Sequence, residues 1–259
     1  MTGPGIDQGW DSHTALVEGR WIHRRPRRAD VAVRLRRETT FLPWLADRLP
    51  LAVPRPELVR TDPLEVRHAL VPGEGTEDPV AEHGAALGAF LRALHTTPVA
   101  AAVERGLTDG ATARADLASA VEGFRSQVLP RLDASYRARG AELLEEVLAA
   151  PADTVVHGDL GPEHVLSEGS RLTGVIDFTD AHVGDAAVDL AWALYGTSAP
   201  CAAALAQAYG GVSADLRRRA LAWHRLGPWF EVVHCLRLGR AEEVGSGLAG
   251  VRARLDEVG

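Results

Sequence analysis

The sequence predicts an α+β chain in two lobes, a small β-rich N-lobe and a large, mainly helical C-lobe. Three observations carry this. The N-terminal third alternates short apolar runs with turn residues. Pro72-Gly73 punctuates the chain, and beyond it apolar residues recur at helical spacing. One stretch, residues 154–178, breaks that helical region with a strand–turn–strand pattern. The organisation expected is therefore a small N-lobe over 1–71 and a large helical C-lobe over 72–259.

The elements follow in order. Residues 14–17 and 20–24 read as a hairpin turned at Glu18-Gly19, and Pro26 ends its second strand. A helix is expected from about Asp30 to Arg48, with Pro43 breaking or bending it into two shorter pieces. Residues 49–56, rich in proline, form a rigid extended connector. Val66 to Val71 reads as a strand. Helices are expected over Ala81–His95, which has a broad apolar face, and over Ala111–Val128 and Tyr136–Ala149. Then come short strands at Thr154–Val156 and Val165–Ser167, a turn at Glu168-Gly-Ser170, and a strand from Leu172 to Phe178. From Asp185 onward the pattern is helical.

Composition narrows the function classes. The chain is 46% apolar and 24% charged, enough for a core without disulfide or metal staples. Cys201 and Cys235 are too few for a disulfide framework, and no apolar run reaches the ~18–20 residues of a membrane span. With no basic-then-apolar leader at the start, a cytoplasmic location is expected. All 28 basic residues are Arg, and there is neither Lys nor Asn, so chemistry that uses those residues needs a substitute. Residues 1–60 hold 11 Arg against 7 acids, whereas residues 61–259 hold 17 against 28. The basic stretch lacks interleaved aromatics and the whole chain is acidic, which argues against nucleic acid as a partner. A basic small lobe beside an acidic large one suits an anionic donor and a cationic acceptor.

The chemistry concentrates in 157–189: His157-Gly-Asp159, His164, Asp177, Asp185 and Asp189. Asp159 leads into the hairpin and Asp177 leads out, so the two carboxylates can face one small volume. Paired carboxylates there serve general-base work and hard-cation binding.

The run HGDLGPEHVL followed by GVIDFTDAHVGDAAVDLAWAL resembles the aminoglycoside phosphotransferase family, whose fold is protein kinase-like. The resemblance implies a phosphotransferase that moves the γ-phosphate of ATP or GTP, with Mg²⁺, to a hydroxyl of a small molecule. The acceptor expected is an antibiotic of aminoglycoside, peptide or nucleoside type. It implies that Asp159 accepts the acceptor's proton, that His157 orients the loop and that Asp177 holds Mg²⁺. His164 stands where the family places Asn; direct ligation, ligation through water and support of the loop all remain open. Asp185 is expected to cap the next helix, and Asp189 to brace the catalytic loop. Arg24 aligns with the phosphate-clamping Lys and Glu38 with its helix partner, with His23 or Arg25 as competitors. Gly9 and Ser12 belong to a poor phosphate loop. Glu163, Asp180, Trp229 and Glu231 are candidate acceptor contacts, and residues 227–252 resemble the viomycin- and capreomycin-type phosphotransferases. A monomer or homodimer is expected. The alternatives are a metabolic small-molecule kinase of the same fold, a non-catalytic pseudokinase or binding module, and an RNA-binding protein.

Overall fold

The computed structural model describes residues 12–257. Strands β1 (Ser12–Val17) and β2 (Trp21–Pro26) form the expected hairpin, with positive φ at Glu18 and Gly19. Helix α1 (Ala29–Ala46) follows, then β3 (Glu57–Thr61) and β4 (Leu64–Ala69). The four strands make one antiparallel sheet in the order β1-β2-β4-β3. Sequence reasoning missed β3: every residue of this edge strand is exposed, so no alternation marks it. Strand β4 starts and ends two residues earlier than expected.

Pro43 does not split α1, which runs unbroken through it. The reason is tertiary: Phe41, Leu42 and Leu45 are buried in the main core. Burying each such side chain is worth about 1.5–3 kcal/mol. Together they outweigh the roughly 3 kcal/mol an internal proline costs.

Beyond Pro72, β5 (Glu74–Gly75) leads to α2 (Ala81–His95), α3 (Val99–Val103), α4 (Gly110–Gln127) and α5 (Ala134–Leu148). Strand β6 (Thr154–Val156), the hairpin β7 (Val165–Glu168) and β8 (Arg171–Val175), and β9 (His182–Gly184) come next. The last helices are α6 (Ala187–Tyr195), α7 (Ala199–Tyr209), α8 (Ala214–Arg237) and α9 (Ala241–Asp256). Strand β8 stops at Val175, so Asp177 lies past the strand rather than on it. The short α3 and β9 also went unread, being too brief to show a period.

The large lobe packs helix on helix. Gly84 and Gly88 let α2 lie directly on α7, where a Cβ would run into the Cys201 and Leu205 carbonyls. One core cluster joins α2, α6 and α7 to the β6–β9 region, and a second joins α4, α5, α8 and α9. The small lobe has its own cluster of Val31, Leu35, Leu64 and Val66. The second half of α1 and Val53 belong instead to the large-lobe core. The connector is pinned there too, since Val175 N–H donates to Ala52 O at 2.9 Å.

Candidate active site

Strand β6 buries Val155 and Val156 and releases the chain into the loop His157-Gly158-Asp159. The β7–β8 hairpin then returns the chain beside that loop, with Ile176 N–H donating to His164 O at 2.9 Å. The 157–164 and 176–180 loops therefore run side by side, and local pairing alone puts Asp159 and Asp177 at one place.

The loop is held from below. Asp189, with no exposed surface, accepts the backbone N–H of His157 at 2.8 Å and of Gly158 at 2.9 Å. Its third donor is His95 Nε2 at 3.0 Å, and His95 Nδ1 and the Tyr209 hydroxyl share a hydrogen bond at 2.8 Å. Burial alone would raise the Asp189 carboxyl, but the His95 hydrogen bond and charge, His157 and the Gly158 N–H together hold it below the ordinary value. Burial and the Asp189 and Asp185 carboxylates push the Tyr209 hydroxyl up to about 12. Gly158 has φ +87°, and a Cβ there would stand 2.5 Å from Asp180 O, so this position requires glycine. The buried His157 ring accepts Asp159 N–H at Nδ1 (3.2 Å) and donates from Nε2 to Ile176 O (2.9 Å), tying the two loops together. Asp185 accepts Ala187 N–H at the start of α6 and also binds Arg219 and Trp223 of α8.

His164 stands between the two aspartates. Its Nδ1 donates to Asp159 O at 2.6 Å, which leaves the Nε2 lone pair free, 3.9 Å from Asp177 Oδ2. Asp159 Oδ2 lies 3.8 Å from His164 Nδ1 and is solvent-exposed. Asp177 adopts φ 61°, uncommon outside glycine, a conformation that functional loops retain. Burial would raise its carboxyl, but the Arg24 guanidinium, the Thr179 hydroxyl, His164 and His157 hold it below the ordinary value.

Arg24, not His23 or Arg25, faces this site. His23 and Arg25 both bind Glu65, whereas Arg24 Nη1 donates to Glu38 Oε2 at 2.9 Å. Arg24 Nη2 donates to Thr179 Oγ1 at 2.7 Å and lies 3.6 Å from Asp177 Oδ1. Burial pushes the Glu38 carboxyl up and Arg24 offsets this in part; Asp177 and Asp180 push it further up. Two arginines of α1 also reach the large lobe: Arg34 binds Asp180 at 2.7 Å and Arg37 binds Thr108 Oγ1 at 3.0 Å.

The other sequence candidates divide. Glu163 and Asp180 are exposed beside the 157–164 loop. Trp229, expected to touch the acceptor, is instead fully buried in the second core cluster against Phe124 and offers no surface to a ligand. Glu231 is exposed on α8 near Cys235. Ser12 opens β1 with its hydroxyl buried and unpaired among the described residues, and Gly9 lies outside them. Thr179, Arg34, His95 and Tyr209 were not anticipated. Thr179 had a weak signal, two residues past Asp177. Arg34 sits one helical turn before Glu38. His95 and Tyr209 had none, because their partners are far apart in sequence.

Among the described residues, no group of three or more His, Cys, Asp or Glu is arranged to hold a metal ion. The pair that remains, a carboxylate and an imidazole with a free lone pair, fits a divalent ion that takes its other ligands from phosphate and water.

The profile of the phosphotransferase enzyme family matches residues 2–223. Viomycin phosphotransferase of Streptomyces vinaceus is 30% identical over 154 residues, covering 50% of this chain and 47% of that protein. The match thus spans about half the length of this relative. The fold superposes on APH(2")-IIia in complex with GDP and kanamycin with TM-score 0.84 at 23% identity, covering 97% of this chain and 92% of the other. It superposes on macrolide 2'-phosphotransferase MphH of Brachybacterium faecium with TM-score 0.73 at 24% identity, covering 96% and 91%.

Proposed function

The chain belongs to the phosphotransferase enzyme family, and from that premise we propose that it moves the γ-phosphoryl group of ATP or GTP to a hydroxyl of a small-molecule antibiotic. One observation carries the reading: Asp159 and Asp177 converge on the single imidazole of His164, at 3.8 and 3.9 Å. In this reading Asp159, exposed and, among the described residues, accepting no side-chain donor closer than that, takes the hydrogen bond of the acceptor hydroxyl. Aiming the nucleophile matters more than base strength, because the transition state is loose. His157 Nδ1 holds Asp159 N–H, and Asp189 holds the two N–H groups before it, so that this aim is fixed. Arg24, oriented by Glu38, presents positive charge to the donor phosphates. Asp177 and His164 would hold Mg²⁺, which neutralises charge on those phosphates when bound.

A cationic acceptor agrees with the exposed acids Glu163 and Asp180 beside the loop and with the net −11 of residues 61–259. Similarity to viomycin, aminoglycoside and macrolide phosphotransferases supports an antibiotic over a metabolite. No helix of the described residues is long and apolar enough to cross a membrane, and we place the reaction in the cytoplasm.

The test is expression in a sensitive host, with susceptibility measured across aminoglycoside, macrolide and tuberactinomycin antibiotics. Resistance to one class, lost in the Asp159→Ala variant, together with a phosphate adduct on that drug by mass spectrometry, is the expected result. Unchanged susceptibility and no adduct across the panel would redirect the search to metabolic hydroxyl compounds.

A further inference from the structure

We propose that Thr179 is a positioning residue for phosphoryl transfer, its hydroxyl setting Arg24 and Asp177 relative to each other across the two lobes. The assignment rests on the phosphotransferase reading above. Thr179 is buried, and its Oγ1 meets three charged groups: Arg24 Nη2 at 2.7 Å, Asp177 Oδ1 at 2.8 Å and Glu38 Oε1 at 3.0 Å. A hydroxyl has one proton and two lone pairs. The guanidinium N–H takes a lone pair, and the proton goes to a carboxylate. Donated to Asp177 Oδ1, it fixes that oxygen and leaves Oδ2 turned toward His164 Nε2. The β-branched side chain limits χ1, so the hydroxyl keeps this direction.

This device suits a chain that has Arg where the family resemblance implies Lys. A planar fork spans Glu38 of α1 with one nitrogen and Thr179 of the large lobe with the other; an ammonium is a single point charge. Arg24 and Thr179 therefore work as a pair. The small lobe is registered on the Asp177 loop by a bond between side chains 155 positions apart.

The experiment measures binding of ATP and GTP by titration calorimetry over a series of Mg²⁺ concentrations, on full-length wild type, T179V and T179S, with melting temperatures recorded. Losing a hydrogen bond to charged groups predicts about 10-fold weaker Mg²⁺-nucleotide binding in T179V. A higher half-saturating Mg²⁺ is also expected, with T179S recovering most of both. Binding in EDTA should change less. R24K should show the same Mg²⁺ shift, and the double variant R24K/T179V should be no worse than either single one. That cycle decides the matter even if T179V lowers the melting temperature. If wild type binds nucleotide and T179V matches it, or T179S is as impaired as T179V, or the two sites prove additive, the assignment is overturned. Wild-type protein that binds neither nucleotide overturns the phosphotransferase reading and this assignment with it.

Discussion

Two carboxylates and one guanidinium meet where the lobes join, and their charges do not balance. Glu38 and Asp177 both face Arg24, and the buried one, Glu38, has its carboxyl pushed up. An acid whose folded value is raised stabilises the fold fully below its unfolded value, here 4.5, and loses that contribution as pH rises through the folded value. Glu38→Gln has no such linkage. Melting curves should therefore show the variant gaining on wild type as pH rises above about 4.5; a constant difference would refute the raised value. Asp189 has the opposite sign: its lowered carboxyl stabilises the fold above the unfolded value of 3.8 and loses this as pH falls through the folded value. For chemistry, Asp159→Ala should cut turnover by about 10²–10⁴-fold while nucleotide affinity measured by calorimetry stays close to wild type. His164→Asn supplies a harder oxygen on the same loop, and it should retain Mg²⁺-dependent turnover within about tenfold of wild type. Complete inactivity would mean that only an imidazole can fill the position.

At the level of elements, α1 carries the most consequence. Its first turns pack under the sheet through Val31 and Leu35, while its last turns sit in the large-lobe core. Arg34, Arg37 and Glu38 lie on one face and reach Asp180, Thr108 and Thr179. Leu42→Ala should therefore destabilise the whole protein by about 2–5 kcal/mol in denaturant melts, rather than loosen the small lobe alone. A second element-level case joins α8 to α9. His224 is buried on α8, and its Nδ1 accepts from Arg254 at 2.9 Å. Burial, then Arg254 and Arg225, push its value down to about 4. A base with a lowered folded value loses stability as pH falls below the unfolded 6.5, fully so once the folded value is passed. Melts from pH 7 to 4 should fall less steeply in His224→Gln than in wild type.

For the whole molecule, the lobes are less separable than a cut at residue 71 suggests. Phe41, Leu42, Leu45 and Val53 precede that cut yet fill the large-lobe core. We expect a fragment of residues 72–259 to aggregate or lack a cooperative melt, and soluble, cooperatively melting fragment would restore the simple two-domain division. The arginine-rich stretch also changes meaning. Arg24, Arg25, Arg28, Arg34, Arg36 and Arg37 each bind a carboxylate, hydroxyl or carbonyl of this chain. These contacts help to fix α1 and the sheet.

The main helices, the first hairpin and the His157–Asp159 loop were readable because each rests on local order. Helical period, turn glycines and the HGD and IDF runs act within a few residues of themselves. Arg24 could be aligned but not chosen over its neighbours, since a one-residue slip in a strand reverses the face. The unbroken α1, the burial of Trp229, the His95–Tyr209 support and the Thr179 junction depend on contacts 90 or more positions apart in chain, or on burial that period cannot assign. Sequence by itself determined which chemical groups this protein carries and in what local order. Tertiary packing decided which of them share one space, because burial and hydrogen bonding are settled by what the distant chain brings alongside.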